Sequence, residues 1–141
     1  MRILVEAEVK PSEDPSKVEK AVKNLFPSLS LERGEEKVVG ISEDPAVLSH
    51  LRELLRLQAI RDSARSVLLK GKGEERLEFG VNKQVAFVGK VSFTEGETPL
   101  GPIRVVIETK NPELVVDYLA PRTKRGKALK EIPLGELERG A

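Results

Sequence analysis

The chain has no cysteine and no tryptophan, one histidine, one methionine, and aromatic residues make up only 4% of its 141 positions. Without cysteine there are no disulfides, thiolate metal sites or thiol nucleophiles, and a cytoplasmic location is expected. No apolar run approaches the roughly 20 residues of a membrane span. The first residues alternate in polarity instead of placing a basic stretch before an apolar block, so neither a signal peptide nor a membrane association is expected. Glutamine occurs only at Gln58 and Gln84 and asparagine only at Asn24, Asn82 and Asn111, whereas 33% of the chain is charged. That balance is thermophile-like. With 24 basic against 23 acidic residues the net charge is +1, too small for a global field that draws the chain to nucleic acid, so any basic site must be local.

What the chain does have is one phrase used twice. Ser12-Glu13-Asp14-Pro15 and Ser42-Glu43-Asp44-Pro45 each stand between a strand-like and a helix-like run, and Asn111-Pro112 is a looser third copy. Asp or Asn at an N-cap accepts from a helical N–H that has no other partner, and Pro at the first helical position lacks the N–H that would go unpaired. Three strand-to-helix junctions are predicted.

Hydrophobic periodicity fills in the elements. Ile3, Val5, Ala7 and Val9 alternate with Leu4, Glu6, Glu8 and Lys10, which predicts a half-buried strand. Val18, Ala21, Val22 and Leu25 recur at helical spacing until Pro27. Leu29 and Leu31, then Val39 and Ile41, flank a hairpin turning at Gly34. From Pro45 to about Leu69 the pattern is helical, but it carries two apolar arcs. Leu48, Leu51, Leu54 and Leu55 form one; Leu57, Ile60, Ala64, Val67 and Leu68 form another, rotated by roughly 150° at about 100° per residue. The helix is therefore expected to break near Leu57 to Ala59 or to be gripped from two sides. Strands are predicted over 76–81, 84–94 and 102–109, with a tight turn at Asn82-Lys83 and a loop over 95–102. A last short helix from Pro112 ends at Pro121.

No catalytic constellation emerges. His50 points away from the Leu48, Leu51 and Leu55 arc and reads as a solvated residue. Asp14 and Asp44 cap helices, Asp62 lies within reach of Arg65, and Asp117 sits in the last helix, so no carboxylate pair is defined by spacing. Gly71-Lys72-Gly73 follows a helix and precedes a strand, the reverse of a phosphate-cradling loop, and reads as a helix C-terminus. No metal or cofactor site is expected, nor an enzyme. Phe87 to Phe93 loosely resembles the aromatic strand of an RNA-recognition motif, yet Phe79, Phe87 and Phe93 share the core phase of Val81, Val85 and Val91. The opposite phase carries Glu6, Glu8, Glu78 and Glu108 beside Lys90 and Arg104, which argues against base stacking on the sheet. One basic cluster remains: Arg122, Lys124, Arg125, Lys127 and Lys130, with no acid among them. Phosphate contact is its functional reading and a solvated tail its ordinary one. Arg52, Arg56, Arg61 and Arg65 extend the patch on paper, but Glu53 and Asp62 are within salt-bridge reach.

The run from Leu51 to Arg65, then Asn82-Lys83-Gln84, Pro99 to Ile103 and Asp117 to Thr123, together with the Asp-Pro and Asn24-Leu25-Phe26-Pro27 elements, resembles an uncharacterised archaeal family, number 201 among such families. The likeness spans nearly the whole chain. It implies a compact fold similar to RNA-binding proteins, notably a ribosomal protein that binds the small RNA of the large subunit. It implies no activity and no functional residues, and fold likeness is by itself an association.

The expectation is one α+β domain over 1–121, a mostly antiparallel sheet packed on helices in the order β-α-β-β-α-β-β-β-α, with a basic segment and tail over 122–141. The expected role is a non-catalytic protein-interaction module, forming a homodimer through a polar sheet face that includes Leu4, Val88 and Val106 and through the second helical arc. The alternative is a weak, sequence-tolerant RNA-binding protein using 122–130.

Overall fold

Each Asp/Asn-Pro junction opens a helix. The structure, a computed structural model, describes residues 1–96 and 98–141; Glu97, inside the predicted 95–102 loop, lies outside the described residues. Strand β1 (Arg2–Glu8) leads through Asp14 into α1 (Pro15–Leu25), and the Asp14 carboxylate accepts from the Ser16 N–H at 2.9 Å. Strands β2 (Leu31–Arg33) and β3 (Lys37–Ser42) form the hairpin, closed by the Gly34 N–H to Lys37 at 2.8 Å. Asp44 accepts from the Ala46 N–H and starts a 3-10 turn (Pro45–Leu48) that runs into α2 (Ser49–Leu57). Asn111 accepts from the Leu114 N–H and starts α5 (Pro112–Leu119).

The long helical pattern does break where its apolar arc swings. After α2 the chain turns through Ala59, at φ 56°, and resumes as α3 (Arg61–Lys70). The break is pinned from outside: Gln58 Nε2 donates to the Val91 carbonyl at 2.9 Å and its Oε1 accepts from the Val91 N–H at 2.7 Å. The two arcs fare differently. Leu51, Leu55, Ala64 and Leu68 are fully buried, whereas Leu57 remains 64% exposed.

Strand β4 (Arg76–Asn82) is followed not by the predicted strand but by a short helix, α4 (Lys83–Phe87), and the strand shrinks to β5 (Phe93–Thr94). Asn82 is the N-cap of α4 and not a turn residue; its side chain accepts from the Val85 N–H at 2.9 Å. The Asn24 side-chain amide of α1 holds the other end, donating to the Ala86 and Phe87 carbonyls at 3.0 Å each. These distant contacts outweigh the local alternation of Val85, Phe87, Val91 and Phe93. Val85 and Phe87 are only half-buried as a result, and Val88 lies at the helix end, 69% exposed, rather than on the sheet.

Strand β6 (Pro102–Glu108) completes a six-stranded sheet of order β2-β3-β1-β6-β4-β5 in which the pairs are antiparallel. The sheet is not alone. Residues 123–128 form a second, two-stranded one, β7 (Thr123–Lys124) with β8 (Lys127–Ala128), and the chain ends in α6 (Leu134–Gly140). The sequence-based order gains two helices inside the chain, a hairpin and a final helix.

One sheet face is covered. Ile3, Val5, Val38, Leu77, Val81, Ile103, Val105 and Ile107 pack against Val22 and Leu25 of α1, Leu51 and Leu55 of α2, Leu68 of α3 and Val115 and Leu119 of α5. Each buried aliphatic side chain contributes about 1.5–3 kcal/mol. Ile132 and Leu137 also join this core, so the stretch expected as a tail is packed.

Candidate nucleic-acid interface

The five cations singled out from the sequence stand on a built element. The β7–β8 hairpin turns through Arg125 and Gly126, at φ 53° and 78°, the positive values that a two-residue hairpin loop of the favoured hand needs at both central positions. Gly adopts this at no cost, and Arg125 is the residue that bears the strain. The Leu129 N–H bonds the Arg122 carbonyl at 2.8 Å and closes the base. Helix α3 then fixes the hairpin from two sides. Arg61 Nη2 donates to the Gly126 carbonyl at 2.9 Å, and the Thr123 hydroxyl donates to Asp62 at 2.6 Å.

Arg122, Lys124, Arg125, Lys127 and Lys130 are all exposed, and among the described residues none of them joins an ion pair. The arginines behind them are mostly committed. Arg65 binds Asp117 at 2.7 Å and the Ala120 carbonyl at 3.1 Å, so its partner is not the nearby Asp62 that spacing suggested. Arg56 pairs with Glu53 one helical turn away, and this bond holds the Glu53 carboxyl below the ordinary range. Arg61 lies 3.8 Å from Glu131. Among the described residues Arg52 has no carboxylate partner; its guanidinium lies 4.3 Å from the centre of the Tyr118 ring.

A cavity of about 380 Å³ lies between α2, the start of α3 and the end of α5, lined by Ser49, Arg52, Glu53, Arg56, Arg61 and Tyr118 among others. Ser49, Arg52, Glu53 and Arg56 fall at i, i+3, i+4 and i+7 on one face of α2, a spacing visible in the sequence but easily read as an ordinary solvated stripe. The structure brings three of its four extra arginines, 52, 56 and 61, to this one wall. Arg61 and Pro121 also connect it to the hairpin.

The open sheet face offers no stacking platform. Glu6 and Glu78 accept from Arg104, at 3.0 Å each at the closest, Arg76 binds Glu78 at 2.8 Å, and Lys37 reaches Glu6 at 3.9 Å. Phe79 is on the covered face with Phe93 edge-on to it, ring centres 5.8 Å apart. The bonds from Arg104, and then Arg76, hold the Glu78 carboxyl below its ordinary value.

Elsewhere, buried Lys83 sits beside a cavity of about 390 Å³ but spends its ammonium on the Glu8 and Leu100 carbonyls and on Glu13 at 2.9 Å, which satisfies all three donors. It is a structural lysine whose partners, up to 75 residues away, leave no local pattern. His50 is exposed. Among the described residues no group of three His, Cys, Asp or Glu is placed to hold a metal ion, and no helix is long and apolar enough to cross a membrane.

The chain is 44% identical over 140 residues to a UPF0201 protein of Metallosphaera sedula, covering 96% of this chain and 98% of that one. The chain belongs to the UPF0201 family. A Pyrococcus horikoshii member is 48% identical over 126 residues, 86% of this chain and 91% of its own. The crystal structure of the UPF0201 protein from Methanococcus jannaschii superimposes with a TM-score of 0.80 at 36% identity, covering 92% of this chain and all of that one. A family model described as RNA binding matches residues 2–109. That span holds the sheet, α1 to α4 and the cavity arginines, and it stops short of the hairpin.

Proposed function

We propose that the protein binds RNA without a catalytic step, through phosphate contacts of the β7–β8 hairpin. The observation that carries this reading is the set of five exposed cations, Lys124, Arg125 and Lys127 on the hairpin and Arg122 and Lys130 flanking it, none in an ion pair among the described residues, with the hairpin held in place by Arg61 and Asp62. Basic side chains that protein carboxylates leave free are those available to displace counterions from a phosphate backbone. The RNA-binding description of the family model supports the partner class. Sequence preference is weak, since no exposed aromatic accompanies the charges.

Fluorescence anisotropy with labelled single-stranded and structured RNA tests it. Replacing Arg122, Lys124, Arg125 and Lys127 together by Ala abolishes binding at low salt with the fold intact. The hairpin neutralises at most five phosphates, so it accounts for no more than roughly −3.5 of the slope of log affinity on log salt for a single strand. Undetectable binding by the intact protein at micromolar concentration overturns the reading.

Self-association is the second reading, favoured by one row of the open sheet face. Half-buried Leu4 stands in register between Ile41, which is 51% exposed, and Val106, which the chain itself already buries to 5% exposure, so Ile41 and Leu4 are what the row leaves to a partner. A second copy covering this row forms a homodimer. Light scattering giving a dimer mass that Ile41→Asp reduces to the monomer supports it, and a monomer mass for the unaltered protein at tens of micromolar removes it.

A further inference from the structure

The Arg52 guanidinium rests against an aromatic ring with no hydrogen-bond or ion-pair partner among the described residues. Its central carbon lies 4.3 Å from the centre of the Tyr118 ring, which is itself 1% exposed and anchored by the 3.1 Å bond between its hydroxyl and that of Ser49. A cation–π contact of this kind holds the guanidinium against the ring without using its N–H donors, and among the described residues no hydrogen bond or ion pair takes up those donors. The neighbouring carboxylates do not fill the role. Glu53 is engaged by Arg56 through two bonds, and Glu131, 60% exposed, approaches Arg61 no closer than 3.8 Å. Three guanidinium groups and two carboxylates thus line a cavity of about 380 Å³, large enough for a phosphate group with its first waters, with one arginine uncommitted at its wall.

We propose that this cavity is a phosphate subsite in which Arg52 makes the direct contact, taking one backbone phosphate of an RNA strand that lies on the hairpin. The inference rests on the RNA-binding reading given above. Its geometry continues that surface: Arg61 lines the cavity and at the same time holds the hairpin turn through Gly126, and Pro121, also in the lining, immediately precedes Arg122. A guanidinium presents paired donors to two phosphate oxygens at once. Arg52, Arg56 and Arg61 all fall inside the stretch that the RNA-binding family model matches, whereas the hairpin cations fall outside it.

The experiment uses the full chain in three forms, unaltered, Arg52→Gln and the fourfold hairpin variant, each confirmed as folded by its melting curve. Anisotropy with labelled single-stranded RNA is read across salt, and inorganic phosphate is titrated against chloride at matched ionic strength while backbone amide resonances are followed. The expected result is that Arg52→Gln weakens RNA binding about tenfold and flattens the salt slope by roughly 0.7, the loss of one phosphate contact. Arg52→Lys recovers the slope but not the full affinity. If Arg52→Gln matches the unaltered protein in affinity and slope while the hairpin variant loses binding, the subsite is overturned and the RNA reading stands. If the unaltered protein binds no RNA, that reading fails and the phosphate titration decides. Saturable shifts at Ser49, Arg52 and Arg61 that chloride does not produce and Arg52→Gln abolishes then keep the cavity as a site for a free phosphate ester; no such shifts overturn it.

Discussion

Arg65 of α3 reaches Asp117 of α5, Nη1 to Oδ1 at 2.7 Å, and the same nitrogen donates to the Ala120 carbonyl at 3.1 Å just before the chain enters the hairpin. One guanidinium, 12% exposed, therefore ties the two helices and the helix end together. Asp117→Asn keeps an acceptor but removes the charge, at a cost of about 1 kcal/mol. Asp117→Ala costs more, because it leaves a largely buried cation short of a partner. Denaturant midpoints of the two variants against the parent check the order.

Gly71 ends α3 as the spacing suggests, but its identity has a stricter cause. A Cβ there would sit 1.9 Å from the Glu78 carbonyl oxygen, while the Gly71 carbonyl accepts from the Glu78 N–H at 3.0 Å. Backbone approaches backbone, and neither has a flexible end that moves away. Gly71→Ala is expected to destabilise by roughly 1–3 kcal/mol. Gly73→Ala, whose Cβ would meet its nearest neighbour at 3.5 Å, is expected to be close to neutral. A Gly71→Ala protein with an unchanged melting curve refutes the argument.

Leu137 of α6 is fully buried. Leu137→Ala is expected to cost about 2–5 kcal/mol, and thermal unfolding measures it. A tail that contributes nothing to the core would show no change.

Glu78 sets part of the acid limb of stability. Its carboxyl is held below the ordinary value first by Arg104 and then by Arg76. A carboxyl lowered in the folded state contributes stability above its unfolded value, near pH 4.3, and that contribution is lost as pH falls through the lower folded value. Glu78→Gln should therefore melt below the parent at neutral pH, with the gap closing as the solution is acidified below about pH 4. Melting temperatures of both proteins along a pH series decide it. A gap that widens in acid contradicts the assignment.

How much of this was legible in advance depended on the range of the deciding contacts. The junctions at Asp14, Asp44 and Asn111 were readable because the capping side chain and the N–H that donates to it lie two or three residues apart. The break near Ala59 was readable because an apolar arc that swings cannot face one core. Helix α4 was not, since its supports come from Asn24, 62 and 63 residues away, and from Glu8, 75 residues from Lys83. The hairpin escaped because Arg125, not Asn or Asp, occupies the first left-handed position of its turn. The five basic residues were identified from composition alone, but their platform on α3 was not, and Arg52 passed as one of a charged stripe because its partner Tyr118 lies 66 residues downstream, counting from 52 to 118.

The six-stranded sheet tapers at both margins. Its outermost members are β2, three residues long, and β5, two residues long, while the strands between them run to six or seven. A margin this brief offers few free N–H and C=O groups in line, and so a poor template for another chain to extend the ladder. Heating or concentrating the protein gives fibrils and domain-swapped sheets little to start from.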